Sequence, residues 1–443
     1  MKVLYVSKAL VVAAYRDKLR ALAAHADVTA LVPARWGGQA PEPEHAAGTG
    51  AAAAHALDPS AGVGFGGAEG AAAPRVLDPK AAVGVAAVAD AAADAQRQGS
   101  RAPAAPPRLL TRPVLLAGHN HLHLYRGAGA VLDAVRPDLV HIDEEPYSIV
   151  TLQFAELCRL RGVPSLFFAW QNLAKRLPSP FGALRARVFR LVAGGIAGTA
   201  AAARVLRDAG YAGPLAVIPQ FGVDPTRFAP DAAARADVRG RLGIGEEEFV
   251  VGFGGRLVPE KGVHLLIEAL ASVPGARLVV MGDGPERARL ETLAARAGVA
   301  GRVHFAGYVA STAMPAWLAA LDALALPSLR TKGWAEQFGR ILVEAMACEV
   351  PVVGAATGEV PEVVGEGGVV VPEGDVAALA AALRDLAAMA RDARRELGRR
   401  ARAWVCGRFT QEHVARETAA FYRALLEARP AAATLRPRAA AGW

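Results

Sequence analysis

Short apolar runs alternate with helical patterns along most of the chain. In the first half the runs fall at 2–7, 27–32, 139–142, 165–169, 195–197 and 215–218. In the second they fall at 249–253, 277–281, 302–306, 322–326, 351–353 and 368–371. Between them apolar positions recur every three or four residues, most clearly at 262–271, 286–297, 313–320, 338–348 and 375–396. Short buried strands that alternate with amphipathic helices predict parallel α/β structure. The pattern is written twice, on either side of a turn-rich stretch from Pro219 to Pro230. That predicts an N-terminal domain over 1–221 and a C-terminal domain over 222–409. A last helical pattern at 410–428 opens on Thr410, a suitable cap.

Two stretches break the pattern. Residues 37–107 are rich in Ala, Gly and Pro, and they hold a short repeat: Leu57-Asp58-Pro59 recurs as Leu77-Asp78-Pro79. Two copies cannot build a solenoid. The composition predicts a mostly disordered low-complexity insertion, with a loop that gates an acceptor as the functional alternative. Residues 429–443 read as a disordered tail.

Composition changes this picture little. The chain has 443 residues, 53% of them apolar and 21% charged, as expected for a globular protein of more than one domain. Alanine supplies much of the apolar count, so the mean hydropathy of +0.24 is not a membrane signal. The first strand directly follows Met1, without the apolar core of a signal peptide. No segment reaches the roughly 18 strongly apolar residues of a membrane span. A cytoplasmic protein is expected.

The net charge of +8 favours anionic partners, or simply reflects an arginine-rich composition. A dense basic block with interleaved aromatics is missing, so nucleic acid is not an expected partner. Arg185, Arg187 and Arg190 lie among apolar residues between Phe181 and Val192. They suit either peripheral contact with the anionic inner face of a membrane or an ordinary surface helix. Cys158, Cys348 and Cys406 are too far apart for a metal motif and read as free thiols.

Candidate chemistry begins at Gly254-Gly255-Arg256-Leu257-Val258-Pro259-Glu260-Lys261-Gly262. A strand runs into two glycines, where a ligand can approach the backbone closely. Arg256 and Lys261 add cations suited to a diphosphate. The local alternative is a charged surface turn. A dinucleotide fingerprint fails, because Leu257 stands where a glycine or alanine should close it, and there is no Walker-type lysine.

Further on, Glu336 and Glu344 are separated by seven residues. On a helix starting near Phe338, their spacing covers about 12 Å. That suits one carboxylate on a sugar and one on a ribose, with the helix N–H groups near Gly339, Arg340 and Ile341 facing a diphosphate. Solvated helix charges are the simpler reading of the pair alone.

The combination resembles glycosyltransferase family 4, the retaining glycosyl transferases of group 1 with the GT-B fold. It is carried by Gly-Gly-Arg-Leu-x-x-Glu-Lys-Gly, by Gly282-Asp283-Gly284-Pro285, and by Glu-x7-Glu followed by Ala-Met-Ala-Cys-Glu-Val-Pro. The likeness is specific over about 250–372 and weaker over 135–222. It implies an α/β GT-B fold, with two Rossmann-like domains facing across a cleft and the terminal helix packing back on the first.

It also implies transfer of a hexose-type sugar from a nucleotide-diphosphate sugar, with a UDP-sugar as the leading expectation. The acceptor would be a glycan, a lipid-linked sugar or a small molecule of envelope or polysaccharide synthesis. No metal and no resident cofactor are implied, since the nucleotide sugar is a co-substrate. Glu336, Arg256 and Lys261 would then be catalytic. Gly254, Gly255, Gly282, Val309, Phe338, Gly339, Arg340, Ile341 and Glu344 would bind the donor.

The N-terminal half departs from the family twice. A glycine pair after the first strand is replaced by Ser7-Lys8-Ala9-Leu10, with Lys8 or Tyr15 and Arg16 as stand-ins or as an ordinary helix start. A histidine after the fourth strand of that half is replaced by Trp170-Gln171-Asn172. Gln171 and Asn172 are candidate sugar contacts that cannot titrate near neutrality. His121, within His119-Asn120-His121-Leu122-His123, and Glu144 and Glu145, at a strand's carboxyl end, are candidate acceptor-side groups. The alternatives are loop or core histidines and a helix cap. A non-catalytic nucleotide-sugar sensor, and a phosphorylase or nucleotide-sugar hydrolase on the same fold, are the competing functions.

Overall fold

The computed structural model describes residues 1–37, 40–42 and 106–428. Most of the 37–107 insertion, with its repeat, and the 429–443 tail lie outside the described residues. Fifteen strands are described. In chain order they are β1 (Lys2–Val6), β2 (Asp27–Pro33), β3 (Arg108–Arg112), β4 (Val114–Leu115), β5 (Leu124–Tyr125), β6 (Leu139–Ile142), β7 (Ser165–Ala169), β8 (Gly194–Ala197) and β9 (Leu215–Val217). They continue as β10 (Val250–Gly254), β11 (Arg277–Met281), β12 (Val303–Gly307), β13 (Ala323–Leu326), β14 (Val352–Ala355) and β15 (Gly368–Val371).

The first sheet has the order β3-β2-β1-β6-β7-β8-β9 and the second β12-β11-β10-β13-β14-β15; every pairing in both is parallel. A small antiparallel hairpin, β4-β5, completes the set. Interior strands are buried on both faces, which is why they read as unbroken apolar runs rather than alternating ones.

In each sheet the strand order reverses once, between β1 and β6 and between β10 and β13. The loops that leave neighbouring strands at such a point diverge, opening a crevice at their carboxyl ends. Each half therefore has one place where a ligand can reach the backbone.

The Gln411–Glu427 helix packs on the first sheet, not the second. Its Val414, Ala419, Tyr422 and Leu425 are buried with Val3, Tyr5, Leu19 and Leu139. Thr410 caps it by accepting from the N–H of His413 at 3.0 Å. At its start Thr410 pairs with Val223 of the linker, so both crossings between halves run side by side.

Two local readings are corrected, and the described start of the insertion is placed. The 375–396 helix is two helices, Val376–Ala388 and Arg391–Arg408, because Met389 and Ala390 are extended. An unexpected strand, β3, forms the edge of the first sheet against β2. At the start of the insertion Glu42 is ordered: its N–H donates to Val11 at 3.0 Å and its carbonyl accepts from Arg16 at 2.7 Å.

Candidate active site

In the second half, the loop after β10 and the loop after β13 converge. Lys261 Nζ donates to Glu336 Oε2 at 2.7 Å, and Ser328 Oγ donates to the same oxygen at 2.9 Å. The Lys261 ammonium also sits 4.9 Å above the Trp334 ring. Glu336 is buried, so its carboxylate is fixed by a cation and a hydroxyl rather than by water. Burying a charge is tolerable only with such partners. Arg256 is half-buried in the same loop.

Glycines make the convergence possible. A Cβ on Gly282 would lie 1.8 Å from the carbonyl oxygen of Gly255, and one on Gly262 would lie 1.9 Å from that of Pro327. No other residue allows the loops after β10, β11 and β13 to approach this closely.

The helix after Glu336 spans Arg340–Ala347, with Gly339 as its left-handed N-cap at φ +70°. Glu336 therefore lies in an irregular loop, and the helical spacing of about 12 Å expected for the pair does not apply. Glu344 is on the helix and accepts from Arg340 Nε at 2.7 Å. The Arg340 guanidinium lies over the rings of Tyr15 and Phe221, at 5.9 and 5.6 Å, and the two rings pack on each other at 5.4 Å. Ile341 packs over Gly254. Phe338 is a core residue, edge-on to Phe409 at 5.6 Å, so its side chain faces away from the crevice. Val309 is partly buried against the same core.

The first half repeats the plan. Lys8 follows β1, Glu144 follows β6, and their side chains form an ion pair across the reversal point. The Lys8 ammonium also donates to the carbonyl of Asn120 at 3.3 Å. Burial raises the Glu144 pKa against the pull of Lys8. Next to it, burial pushes the Asp143 carboxyl up, but Lys18, His141 and Gln220 outweigh this and hold it at about 2. Lys18 Nζ lies 2.8 Å and Gln220 Nε2 2.6 Å from its oxygens.

Arg16 is spent on structure. Its guanidinium donates to the carbonyls of Leu10, Val11 and Glu42, holding the turns that replace the expected glycines. His121 is bonded through Nδ1 to Ser148 Oγ at 3.0 Å, and burial with the charges of Lys8 and Lys175 lowers its pKa to about 4. His123 is fully buried against Trp36, with a pKa of about 3 for the same kind of reason.

Glu145 holds a loop. One of its oxygens accepts from the N–H groups of Trp170 at 2.7 Å and Gln171 at 3.0 Å. Burial raises its pKa to about 7 despite those bonds. Gln171 Nε2 turns back to the carbonyl of Leu173, and Asn172 Nδ2 donates to the backbone carbonyl of Glu336 at 3.2 Å. Gln171 and Asn172, read from sequence as sugar contacts, are thus engaged by protein.

Ser328 and Trp334 escaped the sequence reading. Only the position of Ser328, just past the end of β13, could have signalled it.

Residues 234–404 match the model of glycosyl transferases group 1. The 2-deoxystreptamine glucosyltransferase of Streptomyces kanamyceticus is 30% identical over 353 residues, 72% of this chain and 87% of that one. The chain belongs to the glycosyl transferases group 1 family. A second member, the GDP-mannose-dependent alpha-(1-6)-phosphatidylinositol monomannoside mannosyltransferase of Mycobacterium tuberculosis, is 40% identical over 211 residues, 46% of this chain and 54% of that one. The chain matches about half the length of that relative. Among solved structures, Anabaena Alr3699/HepE in complex with UDP superposes with a TM-score of 0.65, at 20% identity and over 96% of this chain and 100% of that one. The fold is the two-domain α/β arrangement called GT-B.

Proposed function

We propose that this family member is a retaining glycosyltransferase that moves a hexose-type sugar from a nucleotide-diphosphate sugar to a glycan, lipid-linked or small-molecule acceptor. One observation carries the reading. The Lys261–Glu336 pair, fixed by Ser328, stands at the reversal point of the second sheet, where glycines let the loops after β10, β11 and β13 converge.

A donor diphosphate would draw the Lys261 ammonium from Glu336, with Arg256 as a second cation. The freed carboxylate then accepts from sugar hydroxyls, and Glu344, released from Arg340, accepts from the ribose. The N–H groups at Gly339 to Ile341 add the positive end of a helix. In the transfer step the bond from the anomeric carbon to the diphosphate oxygen breaks. The acceptor oxygen bonds to the same face, and its proton passes to the leaving diphosphate. Cations and helix dipole stabilise the charge that builds there, so the reaction asks for no metal and no resident cofactor.

The donor arms are set by the relatives: the mycobacterial enzyme is named for GDP-mannose and the Anabaena structure holds UDP. Lipid-linked acceptors are supported by the first of these names and small aminocyclitols by the Streptomyces one. No described helix is long and apolar enough to cross a membrane.

The test is a thermal-shift screen with GDP-mannose and UDP-sugars, followed by transfer assays on Lys261→Ala and Glu336→Gln. A bound donor raises the unfolding temperature by linkage. Both variants should lose transfer by at least a hundredfold, in the range of lost transition-state contacts, and keep their fold. Wild-type transfer in both would overturn the assignment.

A further inference from the structure

The loop Trp170–Asn172 belongs to the first half, yet two of its polar groups end on the second. Asn172 Nδ2 donates to the carbonyl of Glu336 at 3.2 Å, and the Trp170 carbonyl accepts from Gln337 Nε2 at 3.3 Å. These are consecutive residues of the segment that carries the Glu336 carboxylate. Behind the loop, Glu145 pins two successive N–H groups. Gln171 closes the turn, and the Trp170 ring packs on Phe168 at 5.0 Å and Phe221 at 5.5 Å. On the far side the Glu336 carbonyl also accepts from the N–H of Glu359 at 3.0 Å. The Glu359 carboxylate in turn reaches the N–H of Ala201, in the first half, at 3.1 Å.

We infer that the Trp170–Asn172 loop is an interdomain latch that sets where the Glu336 carboxylate stands, with Asn172 as a positioning residue for sugar transfer. The inference rests on the proposed role of Glu336 toward the donor sugar. Its physical content is directional. A carbonyl oxygen can only accept, so the group opposite must donate. Asn172 acts through the Glu336 backbone and touches no reacting atom. The nucleotide, seated on the second half, gains nothing from the latch. The sugar does, because its partner carboxylate is held by residues of both halves.

The experiment compares Asn172→Ala, Asn172→Asp and the double variant Asn172→Asp/Gln337→Ala with wild type. Loss of one hydrogen bond predicts a drop of about fivefold in kcat/KM for the donor in Asn172→Ala. Asn172→Asp should be lower still, because it sets an anion against the carbonyl. UDP or GDP alone should bind all variants as it binds wild type, which general structural damage would not allow. Small-angle scattering should show a larger radius of gyration for the double variant, since both bonds cross between halves. Wild-type kcat/KM in both single variants overturns the latch, and so does an unchanged radius of gyration in the double variant. If Lys261→Ala is inactive while the Asn172 variants are normal, only the latch fails. If wild type transfers no sugar, the functional reading fails and scattering alone judges the latch.

Discussion

Gly262 shows how much of the site depends on single positions. It adopts φ +68°, and a Cβ there would meet the Pro327 carbonyl at 1.9 Å. Lys261 precedes it and Ser328 follows Pro327, so this contact sets how closely the two loops approach. Gly262→Ala should destabilise the protein by about 1–3 kcal/mol or more through backbone strain and weaken donor binding as Lys261 moves off Glu336. Urea unfolding and a donor titration check both; an unaltered midpoint would contradict the argument. Glu145 makes a second prediction. Its pKa rises from an ordinary 4.5 to about 7 on folding, so the folded state binds the proton more tightly. The stability from that proton is present below pH 4.5 and is lost as pH rises through 7, a total of about 3 kcal/mol. Glu145→Gln keeps an oxygen acceptor for Trp170 and Gln171 without the charge. It should unfold at higher urea than wild type at pH 8 and show no such gain at pH 4.5. Lys261 and Glu336 were legible in the sequence because glycines and charges punctuate their loops. Ser328 and Trp334 were not, since a contact within an irregular loop leaves no periodic trace.

Among the elements, the strands of both sheets were the most legible, because burial on both faces writes continuous apolar runs. β3 was missed for the converse reason. As an edge strand it is half-exposed and begins and ends on arginine. The break at Met389–Ala390 was missed because neither residue is a helix breaker. The terminal helix was legible as a helix, but its docking rested on resemblance. What anchors it is a contact no pattern reveals: the Tyr422 hydroxyl bonds His141 Nδ1 at 2.5 Å. Among the described residues Nε2 of that ring has no hydrogen-bond partner. Tyr422→Phe keeps the ring and strips the bond, leaving a fully buried imidazole unpaired at both nitrogens. The expected cost is about 1–3 kcal/mol, read as a lower unfolding midpoint with the helical circular dichroism signal retained. A midpoint equal to wild type would mean that the apolar face alone holds the helix.

Across the whole molecule the two halves share a plan but not a response to acid. His121, His123 and His141 all lie in the first half, with pKa values lowered chiefly by burial to about 4, 3 and 3. In the unfolded chain each titrates near 6.5. Their neutral burial contributes stability that is fully present above pH 6.5 and is lost as pH falls toward the folded values. Each removes about 1.4 kcal/mol per pH unit in that window. Glu145 and Glu144 oppose them, since their raised pKa values favour the folded state as pH falls. Three histidines outweigh two carboxyls, leaving a net loss of about 1–3 kcal/mol per unit between pH 6.5 and 4.5. The second half carries His264 and His304, both lowered by burial but less deeply enclosed. Acid should therefore open the first half, with its terminal helix, before the second. Urea midpoints at pH 6.5, 5.5 and 4.5 should fall in that order. A single His123→Phe substitution, which fills the same aromatic pocket without a titrating nitrogen, should reduce the slope by one proton's share. A midpoint that holds or rises at pH 5.5 would show that the carboxyls govern instead, and the histidines would then have to be solvated in a way their burial denies.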